Sequence, residues 1–295
     1  VTGVDAQGRT VHNGRPLETL PPDTKTEAPM RTLRSLPLLL VVASSLAVLP
    51  AAAPASADPW SPPGFVRSMG GNGEAGVYAW GMEYNPVTNH ILVSDYWNYQ
   101  IREYDLAGHE VNAFFRPVSV RKGQPYTIAV NRTTGDIYVP EWGDGKKFSG
   151  AIGHYDKNGV YLGEIKVPAA YHVWIHVDAQ GYLWVADSHF WNNAGFPPKI
   201  RKFDVTDPAH PVEVLSFGTF GTGPGQLNMI HGLDTDDQGR LYAADALNRT
   251  VHVFNAQTGV WIQDIGQQGN AVGEFKGDLR GLVVDPVHDL LQVVD

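Results

Sequence analysis

From residue 65 onward the chain states one pattern five times, and that repeat constrains the fold more than any single motif does. The stretches WGMEYNPVTNHILVSD (80–95), YTIAVNRTTGDIYVPE (126–141), VWIHVDAQGYLWVAD (173–187), HGLDTDDQGRLYAAD (231–245) and RGLVVDPVHDLLQVVD (280–295) align. Each is an apolar or aromatic run, an Asx/Gly turn, a second β-rich run and a terminal acid. The acids stand at 95, 141, 187, 245 and 295, spaced by 46, 46, 58 and 50 residues. A short aromatic-bearing strand follows each of the first four acids, as in QIREYD (100–105) and VHVFN (251–255). A fourth run comes after it, as in VEVLSFG (212–218) and VWIQDIG (260–266). Four short antiparallel strands per unit, with turn signals between them and no amphipathic helix, predict an all-β fold: a β-propeller of four-stranded blades.

Composition narrows the chemistry. With 295 residues and 43% hydrophobic content there is material for one large β domain. Cysteine is absent, which excludes disulfides, thiolate metal sites and a cysteine nucleophile. Met30 to Arg34 is a basic start, Leu36 to Leu49 an apolar run, and Ala55-Ser56-Ala57 a small-residue cleavage signal. This reads as a signal peptide at 30–57, so the expected localisation is secreted or cell-surface, with no transmembrane span in the mature part. Residues 1–29 are read as an upstream or disordered extension outside the fold, and 58–295 as the propeller. The mature part keeps 17 of the 22 basic and 27 of the 31 acidic residues, a net charge of −10. Lys146-Lys147 and the Lys199 to Lys202 cluster are too sparse to track a phosphate backbone, so nucleic acid is not an expected partner.

The pattern GLDxDxxGRLYAAD at 232–245, with VHVF at 251–254 and the Gly-rich connection GTGPGQ at 221–226, resembles the NHL repeat, a propeller family. The resemblance covers roughly 65–295. It implies a ring of six blades in full length, five remaining open, closed by an N-terminal strand for which Phe65 to Gly76 is the candidate. Asp295 ends the fifth unit after two strands, so the chain is expected to be truncated at its C-terminus, with a complete ring expected to be monomeric.

Pairing each first hairpin back from its turn places the start of strand one beside the end of strand two. Trp80 then faces Asp95, Tyr126 faces Glu141, Val173 faces Asp187, His231 faces Asp245, and Arg280 faces Asp295. This rim is the candidate binding face, since loops and channel mouths are where ligands dock. Trp142, His172, His189 and Trp191 join it from the longer loops and strand ends. An aromatic and Asn-rich rim suits a peptide, protein or carbohydrate ligand, and the strand-end acids imply a negative channel mouth open to small cations or basic peptides.

Two chemical readings compete with simple binding. His231 and Asp245 could form an acid–base dyad, as in lactonase-type propellers, which resemble this chain in architecture only. The HGLDTDDQGRLYAAD segment is also similar to the peptidyl-hydroxyglycine amidating lyases, a resemblance that implies zinc held by histidines of three blades, with His172, His189 and His231 as candidates and His176 as an alternative to His189. Asp234, Asp236 and Asp245 nearly match a calcium loop, but the strand from Gly239 to Asp245 spans about 20 Å, too far to close round an ion at the turn. No cofactor is therefore expected, zinc or calcium being the alternative. The expected function is a binding or scaffold module, with a secreted, metal-dependent hydrolase or lyase as the alternative.

Overall fold

The computed structural model describes residues 2–5, 10–12, 15–16, 77, 79–115, 124–142, 148–166, 172–188, 197–285 and 290–295. These residues form five antiparallel sheets and no helix. Blade one is Ala79–Asn85, His90–Asp95, Gln100–Asp105 and Glu110–Phe114. Blade two has an interrupted inner strand, Gln124–Pro125 and Ala129–Val130, followed by Ile137–Trp142, Phe148–Tyr155 and Tyr161–Lys166. Blade three runs His172–Val177, Leu183–Ser188, Lys199–Asp204 and Val212–Phe217. Blade four runs Ile230–Thr235, Arg240–Asp245, Thr250–Asn255 and Trp261–Ile265. Gly281–Asp285 and Leu290–Val294 open blade five.

The next strands of blade five come from the start of the chain. Thr2–Asp5 pairs antiparallel with Leu290–Val294, Thr10–His12 pairs with Thr2–Asp5, and Arg15–Pro16 extends the sheet. Residues 2–5, 10–12 and 15–16, expected to lie outside the fold, thus stand in this sheet. A strand edge at Leu290–Val294 presents N–H and C=O groups that need partners, and the first residues supply them. The candidate closing strand at 65–76 and the signal-like segment at 30–57 lie outside the described residues.

The core lies between blades. Leu92 and Ile101 of blade one pack with Ile128, Ile137 and Tyr155 of blade two. Ile152 and Ile165 meet Ile175, Leu183 and Phe203 of blade three. Trp184 and Ile200 meet Leu233, Leu241 and Phe254 of blade four, whose Tyr242, Val251 and Val253 meet Leu279, Leu291 and Val293 of blade five. Alternation along each strand sends one set of side chains to the preceding blade and the other to the following one.

Two inner hairpins carry a bulge, between Ala79 and Met82 and between Ile230 and Leu233. Trp80-Gly81 and His231-Gly232 sit at these equivalent irregularities. Glycine is required there by close approach: a Cβ on Gly232 would stand 2.9 Å from the Leu282 amide nitrogen, and one on Gly81 would stand 3.0 Å from the Thr127 Cα. Gly281 occupies the same place in blade five, yet a Cβ there would meet nothing within 4 Å. The face of blade five beyond it is open, as Val294 shows at 61% exposure. Across the gap the inner strand of blade one also exposes Met82, at 68%.

Candidate functional site: the channel and its rim

The inner strands of all five blades line a central cavity of about 540 Å³, bordered by Trp80, Ile128, Trp174, Leu233 and Arg280 among others. The register deduced from the repeat holds in blade three, where Val173 is opposite Asp187, and is in line with blade five, where Gly281 is opposite Val294. In blades one, two and four it is off by one residue at the rim: Ala79 in place of Trp80 is opposite Asp95, Pro125 in place of Tyr126 is opposite Glu141, and Ile230 in place of His231 is opposite Asp245, with Trp80 and His231 displaced into bulges. Trp142 and His172 lie at strand ends next to the rim, and nothing is described of their side chains. His189 and Trp191 lie outside the described residues.

Across the rim runs a belt of aromatic rings drawn from four blades. Trp97 meets Tyr96 edge-on at 5.0 Å, Tyr96 meets Trp80 at 5.5 Å, and Trp80 stacks on Tyr126 at 5.2 Å. Tyr126 meets Trp174 at 6.1 Å, and Trp174 meets His231 at 5.5 Å. Trp80 and Trp97 remain 47% and 57% exposed, whereas Tyr126 and His231 are buried. Burial, with Tyr96 adding to it, pushes the Tyr126 phenol up to about 12, so it stays protonated at neutral pH. Tyr96 and Trp97 directly follow the terminal acid of blade one, in the loop between strands two and three that shares the rim. That position is visible in the sequence, although the repeat alone does not single it out.

Three of the rim acids, Asp95, Glu141 and Asp245, are buried, while Asp295 is exposed. Asp245 is fully buried and accepts from the amides of Asn228 at 2.6 Å, Met229 at 3.1 Å and Asn248 at 3.0 Å. Asp95, also buried, accepts from Arg102 and from the Asn98 side chain, both at 2.8 Å. Asp295 accepts from the amides of Lys276 and Gly277. In blades four and five the acid thus holds the connection that leads into its own first strand. Desolvated carboxylates need such donors, and these donors use the oxygens that a cation would need.

The dyad is corrected for the same reason. Both ring nitrogens of His231 are buried without a hydrogen bond of normal geometry, and Asp245 is committed to backbone amides. Burial first, then the Arg280 cation, hold the His231 pKa below its usual value against smaller pulls from the Leu279 backbone, Asp278 and Asp245. Among the described residues no group of three His, Asp or Glu side chains could hold a metal ion. The turn acids serve the turn: Asp236 accepts from the amides of Gln238 and Arg240 and pairs with the Arg240 guanidinium.

A second polar layer lies three residues along each inner strand, where Glu83, His176 and Asp234 share one register position. Arg132 lies 3.5 Å from Glu83. His176 Nε2 is 2.9 Å from the Thr235 hydroxyl and 3.4 Å from Asp234, which in turn accepts from the Val284 amide at 2.8 Å. Burial pushes the Glu83 carboxyl up to about 7, with Arg132 opposing, because its solvent-facing part meets only the confined channel. Burial likewise lowers His176. These groups tie blades one to two, three to four and four to five, a role the sequence reading did not assign.

The repeat, the blades and their shared channel define a β-propeller. Among curated proteins the chain is similar to NHL repeat-containing protein 3 of Homo sapiens, 40% identical over 71 residues, and to that of Mus musculus, 32% identical over 71 residues. Each match takes in 23% of this chain and 20% of the relative, so the matched part spans about a fifth of the length of either curated protein. No protein-family model matches the chain. A crystal structure of a nidogen/laminin complex contains a chain of the same fold, with a TM-score of 0.51 and 16% identity, covering 69% of this chain and 67% of that one.

Proposed function

We propose that this propeller is an exported binding or scaffold module that receives a peptide or protein segment on its aromatic rim. The observation that carries the reading is the continuous belt from Trp97 to His231, with two large indoles left exposed at a channel mouth. Aromatic side chains of this kind supply large contact area at low entropic cost and dominate binding energetics. The strand-end acids work as backbone acceptors, which supports the rim's offering surface and hydrogen-bond donors in place of acid–base chemistry. Export is supported by the basic start at Met30, the apolar run and the Ala55 to Ala57 signal. Cleavage after Ala57 separates the strands at Thr2–Asp5 and Thr10–His12 from blade five, so mass spectrometry of secreted material should find a mature N-terminus at Asp58 and no Thr2–Asp5 strand to pair with Leu290–Val294. Recovery of the intact chain only inside the cell would contradict export.

Binding is tested by probing peptide and glycan arrays with the wild type and with Trp97→Ala. Retention on peptides should fall about tenfold or more in the variant, with thermal stability nearly unchanged. Retention on glycans alone would replace the peptide by a carbohydrate, and retention unaffected by the substitution would remove the belt from binding.

A further inference from the structure

The blade-five end of the belt contains polar groups without a hydrogen bond of normal geometry, the Leu279 backbone offering His231 only a weak one. Trp174 Nε1 and both ring nitrogens of His231 are buried without hydrogen-bond partners, and His231 is only 4% exposed. A buried polar atom without a good partner costs on the order of 1–3 kcal/mol, so the two donors and one acceptor of these adjoining rings call for an account of what meets them. Beside them stands Arg280, whose guanidinium is exposed and lies 4.0 Å from Asp278, beyond hydrogen-bond reach. Trp174 and Arg280 both line the central cavity, with His231 packed against the indole.

The chemistry of this group is one-sided. An indole only donates, a guanidinium only donates and is always charged, and a neutral imidazole offers one donor and one acceptor. The acid nearest in register, Asp245, spends its oxygens on backbone amides. We propose that Arg280, Trp174 and His231 form a carboxylate subsite for an acidic or C-terminal residue of a bound peptide, an inference that rests on the rim's being the binding face. The carboxylate pairs with Arg280 at the cavity wall and, once the Trp174 and His231 rings turn their sealed nitrogens toward it, supplies the acceptors that the indole and imidazole lack. A peptide suits this cavity better than a sugar, because Met82, Ile128, Leu282 and Val283 leave most of the lining apolar, and a polyhydroxylated ligand would lose its hydrogen bonds there.

The test uses the full chain and an array of peptides, each made in matched acid and amide forms. Glu is paired with Gln and Asp with Asn inside the sequence, and the C-terminal acid with the C-terminal amide. Acid forms should bind about tenfold or more tightly than their amides, as a charge-assisted hydrogen bond provides. That ratio should fall towards one in Arg280→Gln, an exposed position at which folding is preserved, and should shrink in His231→Phe, which keeps a ring but removes both nitrogens. Whichever pair shows the preference identifies the source of the carboxylate. Equal binding of acid and amide by the wild type, or a ratio unchanged in Arg280→Gln, overturns the subsite while leaving rim binding intact. Failure to retain any peptide in either form overturns both.

Discussion

Blade one and blade four follow the same template with opposite surroundings. Trp80 and His231, Met82 and Leu233, and Arg102 and His252 occupy matching positions, yet Leu233 is sealed against blade three while Met82 faces solvent. The difference separates what the repeat dictates from what the neighbours dictate. Strand order, bulge and glycine follow from the unit itself. Burial, and with it the energetic weight of each side chain, follows from whether another blade lies alongside.

The largest effect should separate the two positions directly. Leu233→Ala should destabilise the protein by about 3 kcal/mol through the cavity it leaves, while Met82→Ala should change stability by less than about 0.5 kcal/mol. Chemical denaturation of the two variants checks this, and similar losses would mean that the blade-one face is covered. Next in size comes the glycine pair. Gly232→Ala drives a Cβ into the backbone of blade five and should cost about 1–3 kcal/mol, whereas Gly281→Ala has open space and should be close to neutral.

A smaller effect distinguishes the charged bridges. In blade one Arg102 links Asp95 at 2.8 Å to Glu110 at 2.7 Å. In blade four His252 takes that place, 2.6 Å from Asp264 and 3.5 Å from Asp245. Burial alone would lower the His252 pKa, but the contacts with Asp245 and Asp264 outweigh it and raise the value above the usual 6.5. The folded state therefore holds this proton more tightly than the unfolded state does. The resulting stability is fully present below about pH 6.5 and is lost as pH rises through the higher folded value. This pH dependence should be present in the wild type and absent in His252→Gln, as read from denaturation midpoints across pH 5–9. Arg102, charged throughout that range, should contribute no such slope.

Much of this comparison was legible in the sequence, because a period near 50 residues with hairpin spelling fixes strand order and brings the inner-hairpin register to within one residue, the bulges at Trp80 and His231 accounting for two of the shifts. The rim positions at 80, 126, 173, 231 and 280 follow from that register. What the spacing could not supply is which partner each polar group chooses. The juxtaposition of His231 and Asp245 in sequence suggested a dyad, but the Asp245 oxygens are taken by amides only 16 and 17 residues upstream. The first residues carry a fainter copy of the repeat: VTGVDAQ at 1–7 parallels VHVFNAQ at 251–257, the third strand and turn of blade four, but the signal-like segment separates it from the other units. The belt was half visible, since Trp80 and Tyr126 are rim positions while Tyr96 and Trp97 join it from a loop.

The central claim is that the rim position left free by the repeat serves binding and contributes little to stability, and Trp80→Ala tests it most directly. Peptide retention on the array and the melting temperature should be measured on the same preparation. Retention should drop about tenfold or more while the melting temperature falls by less than about 4 °C, the loss expected from one aromatic contact. A large fall in melting temperature with retention intact would contradict the claim and assign Trp80 to the packing of the ring.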